Sequence, residues 1–159
     1  MDKVNLMLDT CAINHVLDFE VDPKIFSRKR FYLWVTHIQE KEIKKTQNED
    51  RRKALLSTFK RLELNDISIE SGIWGATNWG RSKFSSDRGE LYKKIKEDLD
   101  NKKKKRNNNM DALIGETALK KKFILVTDDK DFLEVYLENN VEAIFLNTLI
   151  SRIHKGFYE

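Results

Sequence analysis

The stretch FILVTDDKDF, Phe123 to Phe132, begins with four apolar residues and then sets acids at Asp128, Asp129 and Asp131. A run of Phe, Ile, Leu and Val reads as a strand covered on both faces, as in a parallel sheet flanked by helices. A turn or a helix start accounts for one acid at the end of such a strand. Three acids call for partners elsewhere in the chain.

Working outward, the same grammar recurs. VNLML (Val4 to Leu8) is a first strand that stops at Asp9, with Thr10 placed to cap a helix through CAINHVLDF. FYLWV is a second strand, followed by the helical THIQEKEIKK, and EDRRKALLSTFKRLEL is an amphipathic helix with Ala54, Leu55, Phe59 and Leu62 near helical spacing. Pro23 opens a short helix over KIFSRK. DISIE, Asp66 to Glu70, is a third strand. Helices over DRGELYKKIKEDLD, with Leu91, Ile95 and Leu99 on one stripe, and over MDALIGETALKKK precede the opening stretch. DKDFLEVYLENN is helical, VEAIF is a fifth strand, and NTLISRIH closes the chain as a helix. Strands alternating with helices predict an α/β fold, a mostly parallel sheet of about five strands between helical layers.

The 159 residues predict one domain, 1–159, with a longer loop and helix insertion around 70–109. That insertion carries Gly72, Gly75 and Gly80 with Trp74 and Trp79, which pack the loop or stack on bases. Formal net charge is +4 and the pI about 9.0, a mild bias toward polyanionic partners. The run Lys102 to Arg106 is either a solvated linker or a phosphate contact, and Asn109 is placed to cap the helix that follows. Cys11 is the only cysteine, so no intrachain disulfide forms. It reads as a small buried residue with no signal for an activated thiol. No apolar run approaches the roughly 20 residues a membrane span needs, and the N-terminus lacks a signal-peptide pattern. A soluble cytoplasmic protein without a membrane partner is expected.

In right-handed βαβ units the carboxyl ends of strands and the amino ends of helices share one edge of the sheet, where ligands bind. Asp9 follows the first strand, Glu42 lies about two turns into the helix after the second, Asp111 opens the helix before the fourth, and Asp129 leaves that fourth strand. Carboxylates gathered within ~4–6 Å repel one another. A divalent cation relieves the repulsion, and oxygen-only ligation suits Mg²⁺ or Mn²⁺ better than zinc. His15, His37 and His154 lack zinc-ligand spacing, and His37 fits ordinary packing as well as proton donation. An acid-held metal with open positions implies phosphodiester chemistry. Gly115, one helical turn beyond Asp111, leaves room for a substrate backbone or for close helix packing. Neither a Gly-x-Ser-x-Gly elbow nor a phosphate-cradling glycine loop occurs, which removes support for serine hydrolase and P-loop readings.

These residues carry a resemblance. LMLDT near the start, THIQEKEI after the second strand, and MDALIGETALKKKFILVTDDKDF together look like a PIN domain, over nearly the whole chain. The resemblance implies a three-layer α/β/α sandwich and a Mg²⁺- or Mn²⁺-dependent endoribonuclease, similar to the VapC-type toxins of type II toxin–antitoxin pairs. Matched to the motif, Asp9, Glu42, Asp111 and Asp129 fall on the catalytic acids, with Asp131 an accessory acid. Asp9, Asp111 and Asp129 would hold the metal, and Thr10 and Thr127 match the hydroxyls beside the substrate. RNA is the implied substrate, an antitoxin the implied partner, and a homodimer is allowed. Glu40 competes with Glu42, which is preferred because it stands six residues after Thr36. Asp128 stands beside Asp129 and leaves open which of the two faces the site. The rival readings are a catalytically inactive PIN-like module binding RNA or protein, and a related nuclease acting on DNA.

Overall fold

The computed structural model describes residues 2–69, 89–103 and 108–158. The glycine- and tryptophan-bearing stretch and most of the basic run fall outside the described residues, and the reading of Trp74 and Trp79 with them. In chain order the elements are β1 (Val4–Leu8), α1 (Thr10–Asp18), a 3-10 turn (Pro23–Ile25), β2 (Phe31–Val35), α2 (His37–Lys44), α3 (Glu49–Arg61) and β3 (Asn65–Asp66). Then come α4 (Glu90–Lys102), α5 (Asn109–Lys121), β4 (Ile124–Val126), α6 (Lys130–Glu138), β5 (Ala143–Ile144) and α7 (Leu146–His154).

The five strands form one sheet in the order β3-β2-β1-β4-β5, and every pairing is parallel. The chain winds outward from β1 to β2 and β3, then returns to β1's other side for β4 and β5. The reversal falls between β1 and β4, paired from Leu6 opposite Ile124 to Leu8 opposite Val126. At such a switch point the flanking connections leave in opposite directions and open a crevice beyond the strand ends. Asp9 and Asp129 are the residues the two strands deliver there.

Alternation along β1 makes the three layers. Leu6 and Leu8 join a fully buried cluster on one face with Ala12, Ile13 and Val16 of α1, Leu55 of α3 and Leu149 and Ile153 of α7. Met7 faces the other way, among Ile95 and Leu99 of α4, Leu113 and Ala118 of α5 and Val135 and Tyr136 of α6. Each such Leu or Ile contributes about 1.5–3 kcal/mol of burial, the principal force holding the helices on the sheet. Helix α2 belongs to both sides, giving Ile38 to one cluster and Ile43 to the other. It therefore lies across the carboxyl edge.

Three local expectations need correction. Asp9, and not Thr10, caps α1, its carboxylate accepting from the Thr10 N–H at 2.6 Å. An aspartate there favours the helix dipole and is held beside the crevice by the same bond. Asn109 is inside α5, and Asn108 before it makes no side-chain cap, its Nδ2 donating instead to Asp100 on α4 at 2.8 Å. The third strand is also earlier and shorter than DISIE, because only Asn65 and Asp66 find ladder partners on β2.

Candidate functional site

Asp9 is 4% exposed. Besides the Thr10 N–H, it accepts from the Thr127 hydroxyl at 2.9 Å, and Thr127 in turn accepts from the Asp129 N–H at 3.2 Å. The fully buried Thr127 thereby fixes the ends of β1 and β4 relative to each other. Burial drives the Asp9 carboxyl up from 3.8 to about 6, the bonds from Thr127 and Thr10 working against this and the charges of Glu42 and Asp129 with it.

Glu42 reaches this edge through Thr10, whose hydroxyl donates to Glu42 Oε2. Helix α2 is aimed by its capping box. Thr36 accepts from the Ile38 N–H at 3.1 Å while Gln39 accepts from the Thr36 N–H at 3.0 Å. The Gln39 amide then donates to the Leu8 carbonyl at 3.0 Å, locking the first turn of α2 to the end of β1. Glu42 lies one turn beyond Gln39 and shares its face. Glu40 points elsewhere, pairing with Lys44 at 2.6 Å. Of the two glutamates, Glu42 is the one bonded to the residue next to Asp9.

Asp111, 7% exposed, sits in the first turn of α5. The Tyr136 hydroxyl donates to its carbonyl oxygen at 2.7 Å, and that side chain is 1% exposed. Burial holds its pKa well above 10, and the charges of Asp111, Asp9, Asp129 and Glu42 push the same way. Sequence reasoning missed Tyr136, although its four-residue spacing from Phe132 marks it as inward-facing on α6. It also accounts for Gly115. A Cβ there would lie 2.8 Å from Tyr136 Cδ1 and overlap Cε1, so the glycine makes room for the ring and not for a substrate.

Asp129 caps α6, Oδ1 accepting from the Phe132 N–H at 3.2 Å, while Oδ2 receives the ammonium of Lys103. Asp128 turns away. Its two oxygens hold His15 Nδ1 at 2.6 Å and the Leu146 N–H at 2.9 Å, tying α1 and the start of α7 to the end of β4. Asp129 is the member of the pair linked to Asp9, its N–H bonded to the Thr127 hydroxyl that donates to Asp9, and its charge is among those acting on the Asp9 carboxyl. Replacing Asp128 with Ala should cost about 1–3 kcal/mol by orphaning the Leu146 N–H, read as an earlier midpoint in urea. Asp131 lies partly exposed in the first turn of α6, away from these hydrogen bonds. Cys11 is half-buried, and burial followed by the charge of Asp9 drives its thiol up to about 11, so it is inert. Among the described residues no three carboxylate, imidazole or thiolate groups stand close enough to enclose a cation as placed.

Comparison with known proteins follows the same lines. No protein-family model and no curated protein matches the sequence. Among solved structures, PAE2754 from Pyrobaculum aerophilum is 16% identical, with 97% of this chain and 99% of that one covered and a TM-score of 0.58. VapBC2 from Rickettsia felis, solved bound to a DNA fragment from their promoter, is 18% identical over 89% of this chain and 98% of its own, with the same score of 0.58. A domain of a functionally unknown protein from Methanocaldococcus jannaschii is 14% identical over 90% and 91%, at 0.54. The chain has the PIN-domain, VapC-like fold, an α/β/α sandwich about a five-stranded parallel sheet. Among the described residues no helix is long and apolar enough to cross a membrane.

Proposed function

We propose that the chain is a metal-dependent endoribonuclease that hydrolyses RNA phosphodiesters at the β1/β4 switch point. The observation that carries this is the linkage of the acids across the switch point: Thr127 bonds Asp9 to the Asp129 N–H, the Thr10 hydroxyl beside Asp9 donates to Glu42, and Tyr136 ties the Asp111 backbone to α6, the helix that Asp129 caps. The donor set suits Mg²⁺ or Mn²⁺, since every donor is a carboxylate oxygen and the anionic cluster needs a counter-charge. Asp9, Asp111 and Asp129 would hold the ion. Bound there, it supplies polarisation of the phosphate and neutralisation of the leaving oxygen.

The chain's own groups do the rest. Thr127 keeps Asp9 and the end of β4 in register. The Thr10 hydroxyl orients Glu42, the carboxylate we assign to positioning the attacking water and accepting its proton. Asp131 lies at the rim, where it would hold a second ion or the water shell. The likeness to VapBC2 extends the proposal to a toxin–antitoxin pair, in which a partner chain covers the acidic edge of this one.

The purified protein, incubated with matched RNA and DNA oligonucleotides, should cut RNA with Mn²⁺ present and stop on adding EDTA. Glu42→Gln should lower the rate by at least about 100-fold. Glu40→Gln should stay within about twofold, because it removes only a solvent-exposed pair with Lys44. Preferential cutting of DNA, or cutting that ignores EDTA, overturns the proposal.

A further inference from the structure

We propose that Lys103 is a tethered counter-ion of the acidic pocket, seated on the carboxylate oxygen of Asp129 that a divalent cation must take. The inference rests on the nuclease reading and adds how that site is held when metal is scarce.

Lys103 stands four residues beyond Leu99, continuing the stripe of Leu91, Ile95 and Leu99, so helical spacing turns it toward the protein. Helix α4 is docked on α6 and not loosely apposed. Ile95 and Leu99 are fully buried, Lys102 pairs with Glu134 at 2.8 Å and Glu138 at 3.1 Å, and Asn139 donates to Asp98 at 2.7 Å. These contacts carry the end of α4 to the mouth of the crevice. The Lys103 backbone leaves the helix in an extended conformation, its N–H still bonded to the Leu99 carbonyl at 2.7 Å. Its ammonium pairs with Asp129 Oδ2 and lies 3.5 Å from the centroid of the Phe132 ring. The side chain is only 16% exposed.

Asp129 has two oxygens to offer. Oδ1 is committed to the Phe132 N–H as the cap of α6, and Oδ2 is the one Lys103 takes. The lysine thus occupies the ligand position and supplies part of the positive charge that the cluster requires. A divalent ion must displace the ammonium, so its apparent affinity is reduced by the fraction of molecules in which the pair is broken. A pair formed nine times in ten weakens binding roughly tenfold.

The test is Mn²⁺ binding to the full chain by calorimetry, without substrate. Lys103→Met should bind Mn²⁺ about tenfold tighter than the wild type, while Lys103→Arg, which keeps the charge, should stay within about threefold. Metal-free Lys103→Met should also melt earlier and regain the difference when Mn²⁺ is added. Should the Met variant fail to fold, Lys103→Gln carries the same expectation. Equal or weaker Mn²⁺ binding by the neutral variants removes the role of Lys103 and leaves the nuclease reading standing. Absence of Mn²⁺ binding by wild type and variants alike at millimolar metal overturns both.

Discussion

Asp9→Asn should abolish Mn²⁺-dependent RNA cleavage, by at least about a thousandfold, while leaving a metal-free protein that is more stable than the parent near pH 7. The loss of turnover follows from the proposed role of Asp9 as a metal ligand, whose carboxylate an amide replaces poorly. The gain in stability follows from burial. Asp9 is nearly inaccessible, and desolvation, followed by the charges of Glu42 and Asp129, raises its carboxyl from 3.8 to about 6 against the bonds from Thr127 and Thr10. A raised carboxyl pKa means that the folded state holds the proton more tightly than the unfolded chain does. The stability it contributes is fully present below about pH 3.8 and is lost as the pH rises through about 6. That displacement corresponds to about 3 kcal/mol at most. Asparagine does not titrate and escapes the loss. The difference in unfolding free energy between Asp9→Asn and wild type should therefore grow from pH 4 to pH 7 and level off above, measured in urea without metal. Curves that stay parallel across this range would show that Asp9 is not held ionised in a desolvated pocket. Added Mn²⁺ should close the gap by stabilising the wild type selectively.

Gly115→Ala should destabilise the fold by about 2–3 kcal/mol, against the usual direction for a glycine inside a helix. Alanine there should gain about 1 kcal/mol of helix propensity. The new methyl group instead meets Tyr136, 2.8 Å from Cδ1 and closer to Cε1. The ring cannot retreat, because it is 1% exposed and its hydroxyl is bonded to the Asp111 carbonyl. Overpacking a rigid site costs about 1–3 kcal/mol or more, and a displaced ring would also break that bond. For a chain of this length the melting temperature should fall by roughly 4–10 °C. Tyr136→Leu made in the Gly115→Ala background should recover part of the loss, a non-additivity expected only of residues in contact. A melting temperature raised by Gly115→Ala alone would contradict the packing.

Gly115 shows where residue patterns stop, since spacing leaves substrate approach and close packing both open and only the Tyr136 ring against it decides for packing. Spacing placed it on the same face as Asp111, which is correct. What occupies the space above a glycine depends on a helix that starts fifteen residues later, and no local pattern reports that. The acids were more legible. The interval from Thr36 points to Glu42, and the capped helix turns Glu42 toward Thr10 and leaves Glu40 with Lys44. Lys103 reads as part of a basic run, although its four-residue step from Leu99 continues the buried stripe of α4. The charge run masked the periodicity.

The alternation of short apolar runs with amphipathic stretches, and an acid closing β1 and β4, determined the layered parallel architecture and the edge at which carboxylates collect. Those features are local, since strand and helix periods and the handedness of the crossover act over neighbouring residues. Only the tertiary structure decided how two adjacent acids divide their partners. Asp128 is claimed by His15 and the start of α7, and Asp129 by the cap of α6 and Lys103. Adjacent side chains leave a backbone in different directions, and the partners that choose between them arrive from distant parts of the chain.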